Sequence, residues 1–170
     1  ATDLLFAGEM RFNKGVDLIL EAIAELNKER RVTLTLAGDG VQFEEYKLLA
    51  KTLGVEHLVN FVGRVPIAEA FAMGRIFVLP SRFESFPYVI MEAIAAEKPI
   101  VSTNVGGIAE VLPPEMLMTT VDVASLTAKL REVLGAEHKA RQQAAELAAR
   151  VKVSTTVAKM AEKIGNLYSQ

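Results

Sequence analysis

Short apolar runs alternate with longer segments of helical periodicity over the first two thirds of the chain: LLFAG, VTLTLAGDG, LVNFVG, IFVLPS and PIVSTNVGG. Such runs suit strands covered on both faces, and strands separated by helices predict a parallel α/β sheet. The intervening pattern predicts helices over residues 15–30, 41–53 and 87–96, with a short piece near 67–72. Val16, Ile19, Leu20, Ile23 and Leu26 give the first helix one apolar face. After a weak strand near Leu117 the remaining third reads as helical, over 122–134 and 137–151. A last helix is expected to be capped near Ser154, with Val157, Met160, Ile164 and Leu167 on one side.

Each strand candidate closes on a small or turn-forming residue: Gly8, Gly38 with Gly40, Gly63, Pro80 with Ser81, and Gly106 with Gly107. In a parallel sheet all five junctions share one edge, and that edge is where open α/β sheets bind ligands.

One charge breaks this apolar pattern in an informative place. Glu92 is the only charged residue in the run 88–96, and a helix apolar on all sides is expected to be buried. A buried carboxylate needs a hydrogen-bonding partner, because desolvating it alone costs several kcal/mol. Glu84 precedes the same helix with seven residues between the two acids. Pro87 suits a first helical turn, so the helix is predicted to start at Phe86 or Pro87. Glu84 then lies in the loop at the positive helix end.

Composition narrows the function classes. With 170 residues, 51% hydrophobic and 24% charged, the chain suits one globular domain. A net charge of -2 gives no global attraction to nucleic acid or anionic lipid. The absence of cysteine removes disulfides and thiolate metal sites and is compatible with a reducing compartment. His57 and His138 are far apart and read as surface residues. No apolar run approaches the ~20 residues of a membrane span, and no signal-peptide pattern opens the chain. Because it begins with Ala1 and enters a strand candidate almost at once, we expect it to be a piece of something longer.

The candidate chemistry lies in the loops. Arg11 and Lys14, in GEMRFNKG, stand near a helix start and can meet an anion together with the backbone amides there. Charge-assisted bonds of that kind contribute ~1.5 to 3 kcal/mol each, although both residues equally fit solvated loop charges. The GDG of Gly38, Asp39 and Gly40 lacks a third dinucleotide-binding glycine, since Phe43 takes its place. It reads either as a plain turn or as a close backbone approach to a ligand. Arg64 either faces the same cleft or lies on the surface. Gly106 and Gly107 permit a tight turn and would also let the backbone approach a ligand.

Together these features resemble the donor-binding half of the retaining family 4 (group 1) glycosyltransferases, of GT-B architecture. The resemblance covers nearly the whole chain. Its most specific part is Glu84 with Glu92, followed by Pro99 and the turn from Gly106 to Glu110. It implies a Rossmann-like three-layer α/β fold, with a parallel sheet of about six strands, helices on both faces and a helical C-terminus, forming one half of a GT-B enzyme. By the same resemblance Glu84 contacts hydroxyls of the donor sugar and Glu92 holds the ribose. Lys14 matches the lysine that grips the diphosphate. The arginine usual after the first glycine is Glu9 here, and Arg11 takes its place because side chains two apart in an extended segment share a face. Pro87 stands where some members have glycine and offers no amide, so the phosphate relies on neighbours such as Tyr88. Glu97 also occupies a position where the family often has glycine.

The implied donor site is made by Gly8 and Glu9, by Gly38, Asp39 and Gly40, and by Arg64 and Val65. The segment Ser85, Phe86, Pro87, Tyr88, Val89 and the pair Gly106, Gly107 complete it. Lys14, Arg11 and Glu84 would carry the chemistry, the two cations stabilising charge on the leaving diphosphate. The start of the 87–96 helix would add up to ~2 kcal/mol. The implied substrate is a nucleoside-diphosphate sugar, with no cofactor and no metal. The acceptor, a glycan or lipid-linked saccharide, would enter through a domain that residues 1–170 do not contain, so this chain alone is expected to bind donor without turning it over. The expected location is cytoplasmic, with no nucleic-acid partner and no transmembrane segment. Peripheral membrane association of the full-length enzyme is compatible with the resemblance. Two rivals share the architecture: a nucleotide-sugar epimerase, and a noncatalytic binding module, which Glu9 and Glu97 keep open. A phospho-receiver domain is disfavoured because the third strand candidate ends Val62, Gly63 without an aspartate.

Overall fold

The computed structural model describes residues 1–85 and 87–154, with only the backbone of residues 153 and 154. The elements, in chain order, are β1 (Thr2–Ala7), α1 (Val16–Leu26), β2 (Leu34–Ala37), α2 (Phe43–Thr52), β3 (Val59–Gly63) and α3 (Ile67–Met73). They continue with β4 (Gly74–Leu79), α4 (Tyr88–Ala95), β5 (Ile100–Ser102), α5 (Val123–Gly135) and α6 (Glu137–Ser154).

The sheet is parallel throughout, in the order β3-β2-β1-β4-β5. Leu4 of β1 stands beside Leu34 on one side and Ile76 on the other, and Leu4, Leu5, Phe6, Ile76, Phe77 and Val78 are all fully buried. The near-continuous apolar strands are therefore sheet interior, as their runs predict. From β1 the chain winds outward through β2 to β3, then returns to β4 on the other side of β1 and continues to β5. Right-handed crossovers in opposite directions put the connecting helices on opposite faces, making a Rossmann-like α/β domain. The winding reverses between β1 and β4, which opens a crevice at the carboxyl ends of those two strands.

Several predicted boundaries move. The sheet has five strands, because the weak strand near Leu117 contributes a single bridge, Ser102 to Leu117. A 3-10 turn at Pro114–Met116 runs up to that residue and leaves little extended chain to pair. Helix α1 ends at Leu26, short of the predicted residue 30. There the Asn27 amide donates to the Ile23 carbonyl at 2.9 Å and accepts from the Val32 amide at 3.1 Å, turning the chain toward β2. Helix α4 starts at Tyr88 with Pro87 as its N-cap. Helix α6 continues through Ser154, and the last helix expected beyond it lies outside the described residues.

At the amino edge of the sheet a charged cluster joins three elements. Asp3 of β1 accepts from the Thr33 amide at 2.8 Å and from the Thr33 hydroxyl at 2.7 Å, and it is paired with Arg75 of β4. Arg75 also reaches Glu137 of α6 at 2.6 Å. Burial works against ionising Asp3, but the Thr33 bonds and Arg75 outweigh it and hold the carboxyl below its usual range.

Candidate functional site

The carboxyl edge is a set of loops stitched to one another by their backbones. The Gly8 amide donates to Ala37 at 3.0 Å, Met10 to Asp39 at 2.9 Å, and Gly38 to Gly63 at 2.7 Å, so the loops after β1, β2 and β3 form one layer. Gly38 is required here. Its φ is 141°, and a Cβ on it would come within 1.9 Å of the Gly8 carbonyl oxygen. The close approach at this GDG is to the backbone of the loop after β1, and it accounts for Gly38 without a ligand.

Beyond Met10 the first loop makes a 3-10 turn, Phe12–Lys14, before α1. Arg82, in the loop after β4, clamps this turn. Its guanidinium donates to both carboxylate oxygens of Asp17, at 2.8 and 2.6 Å, and to the Phe12 carbonyl at 2.9 Å, and it lies 4.1 Å from the centre of the Phe12 ring. The Arg82 amide donates to Asn13 at 2.8 Å. Lys14, next in the chain, is thereby carried to the crevice between β1 and β4.

There Lys14 Nζ donates to Glu84 Oε1 at 2.5 Å, and the Ser81 hydroxyl donates to the same oxygen at 2.7 Å. Glu84 is 9% exposed. Its backbone is backed by Gly106, whose φ is 57° and on which a Cβ would sit 2.0 Å from the Glu84 carbonyl oxygen. The Gly107 amide donates to the Ser85 carbonyl at 3.3 Å. Gly106 and Gly107 thus shape the loop that carries Glu84.

Two adjoining cavities open on this edge and share Ala7, Gly8, Glu9 and Ile67. One, of ≈ 520 Å³, is further lined by Gly38, Asp39, Arg64 and Val65. The other, of ≈ 340 Å³, is lined by Lys14, Glu84, Pro87, Tyr88 and Val89. Arg64 lies 3.8 Å from Asp39, with both side chains exposed.

Most of the site residues expected from sequence are gathered on these two walls, and some are not. Arg11 is exposed, pairs with Glu9 at 2.7 Å and lines neither cavity. Gly40, Ser85, Glu92, Gly106 and Gly107 also lie outside both linings. Phe86 is outside the described residues.

Glu92 corrects the sequence reading most clearly. It is exposed, not buried, because α4 is covered on one side only. Ile90, Ala93 and Ile94 are buried, whereas Tyr88, Glu92, Ala95 and Ala96 face outward. Alanines on the outer stripe gave the run the look of a core helix. Water supplies Glu92 with partners, and the burial argument for a ligand does not hold. Glu92 does follow Tyr88 by one turn on the same stripe.

Sequence reasoning passed over Ser81 and Arg82. Ser81 stood out only as a turn former, and nothing in the periodicity marked Arg82 or its partner Asp17, since their contact joins the loop after β4 to the first turn of α1, distant in sequence. Glu97, by contrast, acquires a physical account. It has φ 52°, its amide donates to Ile94 at 2.9 Å, and the Lys98 amide donates to Ala93 at 3.0 Å. This is the left-handed position of a Schellman cap, normally held by glycine.

Comparisons with known proteins bear on the family and the fold. A family model described as "Glycosyl transferases group 1" matches residues 1–136. The chain is 36% identical over 142 residues to a glycogen synthase of Mycobacterium tuberculosis, across 78% of this chain and 34% of that protein. It is 31% identical over 116 residues to an uncharacterized glycosyltransferase of Methanocaldococcus jannaschii, across 66% of this chain and 30% of the relative. Among solved structures, Anabaena HepE in complex with UDP and glucose has a TM-score of 0.85 at 22% identity, over 99% of this chain and 48% of that one. Sucrose-phosphate synthase from Thermosynechococcus elongatus has a TM-score of 0.82 at 25% identity, over 99% and 45%. The chain spans about a third of the length of these curated relatives.

Proposed function

The chain belongs to the group 1 glycosyltransferases, and from that premise we propose that it is a donor domain. It binds a nucleoside-diphosphate sugar for transfer to a saccharide or lipid-linked acceptor with retention of configuration. One observation carries the reading: Lys14, after β1, and Glu84, after β4, meet at 2.5 Å on the wall of a cavity at the reversal point of the sheet. A cation and an anion are both needed there, one for phosphate and one for sugar hydroxyls.

In this reading the Lys14 ammonium turns to the diphosphate and stabilises the charge that grows on it as the glycosidic bond breaks. Glu84 accepts hydrogen bonds from the sugar. The start of α4 adds the positive end of a helix beside Pro87 and Tyr88. The wider cavity, walled by Ala7, Ala37, Val65 and Ala70 with Arg64 and Asp39 beside them, suits the nucleoside. Glu92 reaches a ribose only if the ligand extends along the Tyr88 stripe. No step is routed through a metal.

Residues 1–170 act as the donor half, and the acceptor side comes from a second domain. Phe12, Val41 and Phe83 are large apolar residues exposed in loops along the site edge, as a surface that meets another domain would be. No helix of the described residues is long and apolar enough to cross a membrane. A cytoplasmic place of action, with peripheral membrane contact for a lipid-linked acceptor, goes with the proposal.

A thermal-shift panel of UDP, GDP and ADP tests it. A ligand at a hundred times its dissociation constant adds ~2.7 kcal/mol, or roughly 5 to 10 °C at this size. HepE was solved with UDP-glucose, which supports UDP as the first nucleotide to try. One nucleotide is expected to stand out, and a flat response to all three would overturn the donor-domain reading.

A further inference from the structure

Glu84 is held in an asymmetric way. Both of its side-chain contacts fall on Oε1, one from Lys14 and one from Ser81. Oε2 carries no hydrogen bond or ion pair within the described residues. Glu84 itself lines the cavity beside Pro87 and Tyr88. The carboxylate therefore has an anchored oxygen and one that no described residue holds.

The two anchors differ in kind. Lys14 is a flexible ammonium with rotatable donors, and in the donor-domain reading it is drawn to phosphate. Ser81 is fully buried, and among the described residues its hydroxyl donates to Glu84. Its carbonyl accepts from the buried Thr103 hydroxyl at 2.7 Å, and the Thr103 amide donates to Leu79 at 3.3 Å, which ties the Ser81 backbone to the ends of β4 and β5. The terminal torsion of a glutamate is broad, so an unanchored carboxylate would rotate and present either oxygen.

We propose that Ser81 is a positioning residue for donor recognition: its hydroxyl fixes Glu84 Oε1 so that Oε2 stays aimed at the sugar when Lys14 engages the diphosphate. This rests on the donor-domain reading and deepens it. Its signature is selective. Losing the Ser81 hydroxyl reduces the preference for a sugar conjugate over its nucleoside diphosphate and leaves diphosphate affinity unchanged.

The test is calorimetry on the 170-residue chain with UDP, GDP and ADP, and with UDP-glucose, UDP-N-acetylglucosamine, GDP-mannose and ADP-glucose. Ser81→Ala is expected to keep the diphosphate affinity within about twofold and to cut the conjugate preference about tenfold, the effect of one charge-assisted bond. Ser81→Thr, which keeps a hydroxyl, is expected to restore most of that preference. Ser81→Cys, close in shape with a weak donor, is expected to lose it and serves if the alanine variant does not fold. Full preference retained in Ser81→Ala and Ser81→Cys, while Glu84→Gln loses it, would overturn the assignment. Equal loss for diphosphate and conjugate would reduce Ser81 to a structural role and overturn it too. A wild-type chain that binds diphosphates but prefers no conjugate removes the sugar role of Glu84, and Ser81 falls with it. A wild-type chain that binds no diphosphate contradicts the donor domain itself.

Discussion

Strands β1 and β4 carry a cation–anion pair at each end, and the two pairs have opposite characters. At the amino edge Asp3 and Arg75 are closed in by Thr33 and Glu137, and none of the four lines the cavities of the carboxyl edge. At the carboxyl edge Lys14 and Glu84 stand on a cavity wall, with one carboxylate oxygen that no described residue engages. The contrast separates a charge pair used for bracing from one available to a ligand. Proximity of opposite charges is common to both. What differs is whether their remaining hydrogen-bonding capacity is spent on protein.

Breaking the carboxyl edge at its backbone gives the largest expected effect. Gly106→Ala places a Cβ against the Glu84 carbonyl at a positive φ. We expect a loss of about 3 kcal/mol in denaturant unfolding, together with weaker binding of sugar conjugates. A variant as stable as wild type would show that this loop yields easily and that Glu84 is not rigidly backed.

The amino edge should respond in stability alone. Asp3→Asn is expected to cost about 1–2 kcal/mol, toward the low end for charge-assisted bonds because Arg75 is 36% exposed. The native carboxyl titrates below its unfolded value, near ~3.9, so its contribution is complete above that pH and is lost as pH falls through the lower native value. Unfolding curves of wild type and Asp3→Asn should therefore stay separated from about pH 5 to 8 and converge below about pH 4. A gap independent of pH, or a change in nucleotide affinity, would blur the distinction between the two edges.

The smallest effect is a gain. Glu97→Gly relieves a left-handed non-glycine residue and should stabilise the domain by about 1 kcal/mol in the same assay. No effect on nucleotide binding is expected, since Glu97 lines neither cavity of the carboxyl edge.

The two edges were also unequally legible. Apolar strand runs and their closing glycines announce a parallel sheet and the edge that holds the site, because burial on two faces and tight backbone turns leave direct marks on composition. Lys14 and Glu84 stood out through a motif resemblance, and the topology explains their meeting, since β1 and β4 are adjacent although about seventy residues separate the two side chains. Glu92 was misread because alanine is apolar enough to hide an exposed helical stripe. Ser81 and Arg82 left no periodic signal, as Ser81 acts within its own loop and Arg82 acts across to the 3-10 turn and the start of α1. Glu97, which with Glu9 kept a noncatalytic reading open, is explained by a helix cap, whereas Glu9 forms an exposed pair with Arg11.

The claim that matters most is that Lys14 faces a diphosphate. Calorimetry should compare wild type with Lys14→Ala, using the nucleoside diphosphate that gives the largest thermal shift and the matching nucleoside. Lys14→Ala is predicted to weaken the diphosphate by roughly 10- to 100-fold and to leave the nucleoside unchanged, as the loss of a charge-assisted phosphate contact requires. Equal losses for both ligands, or none for either, would contradict the assignment.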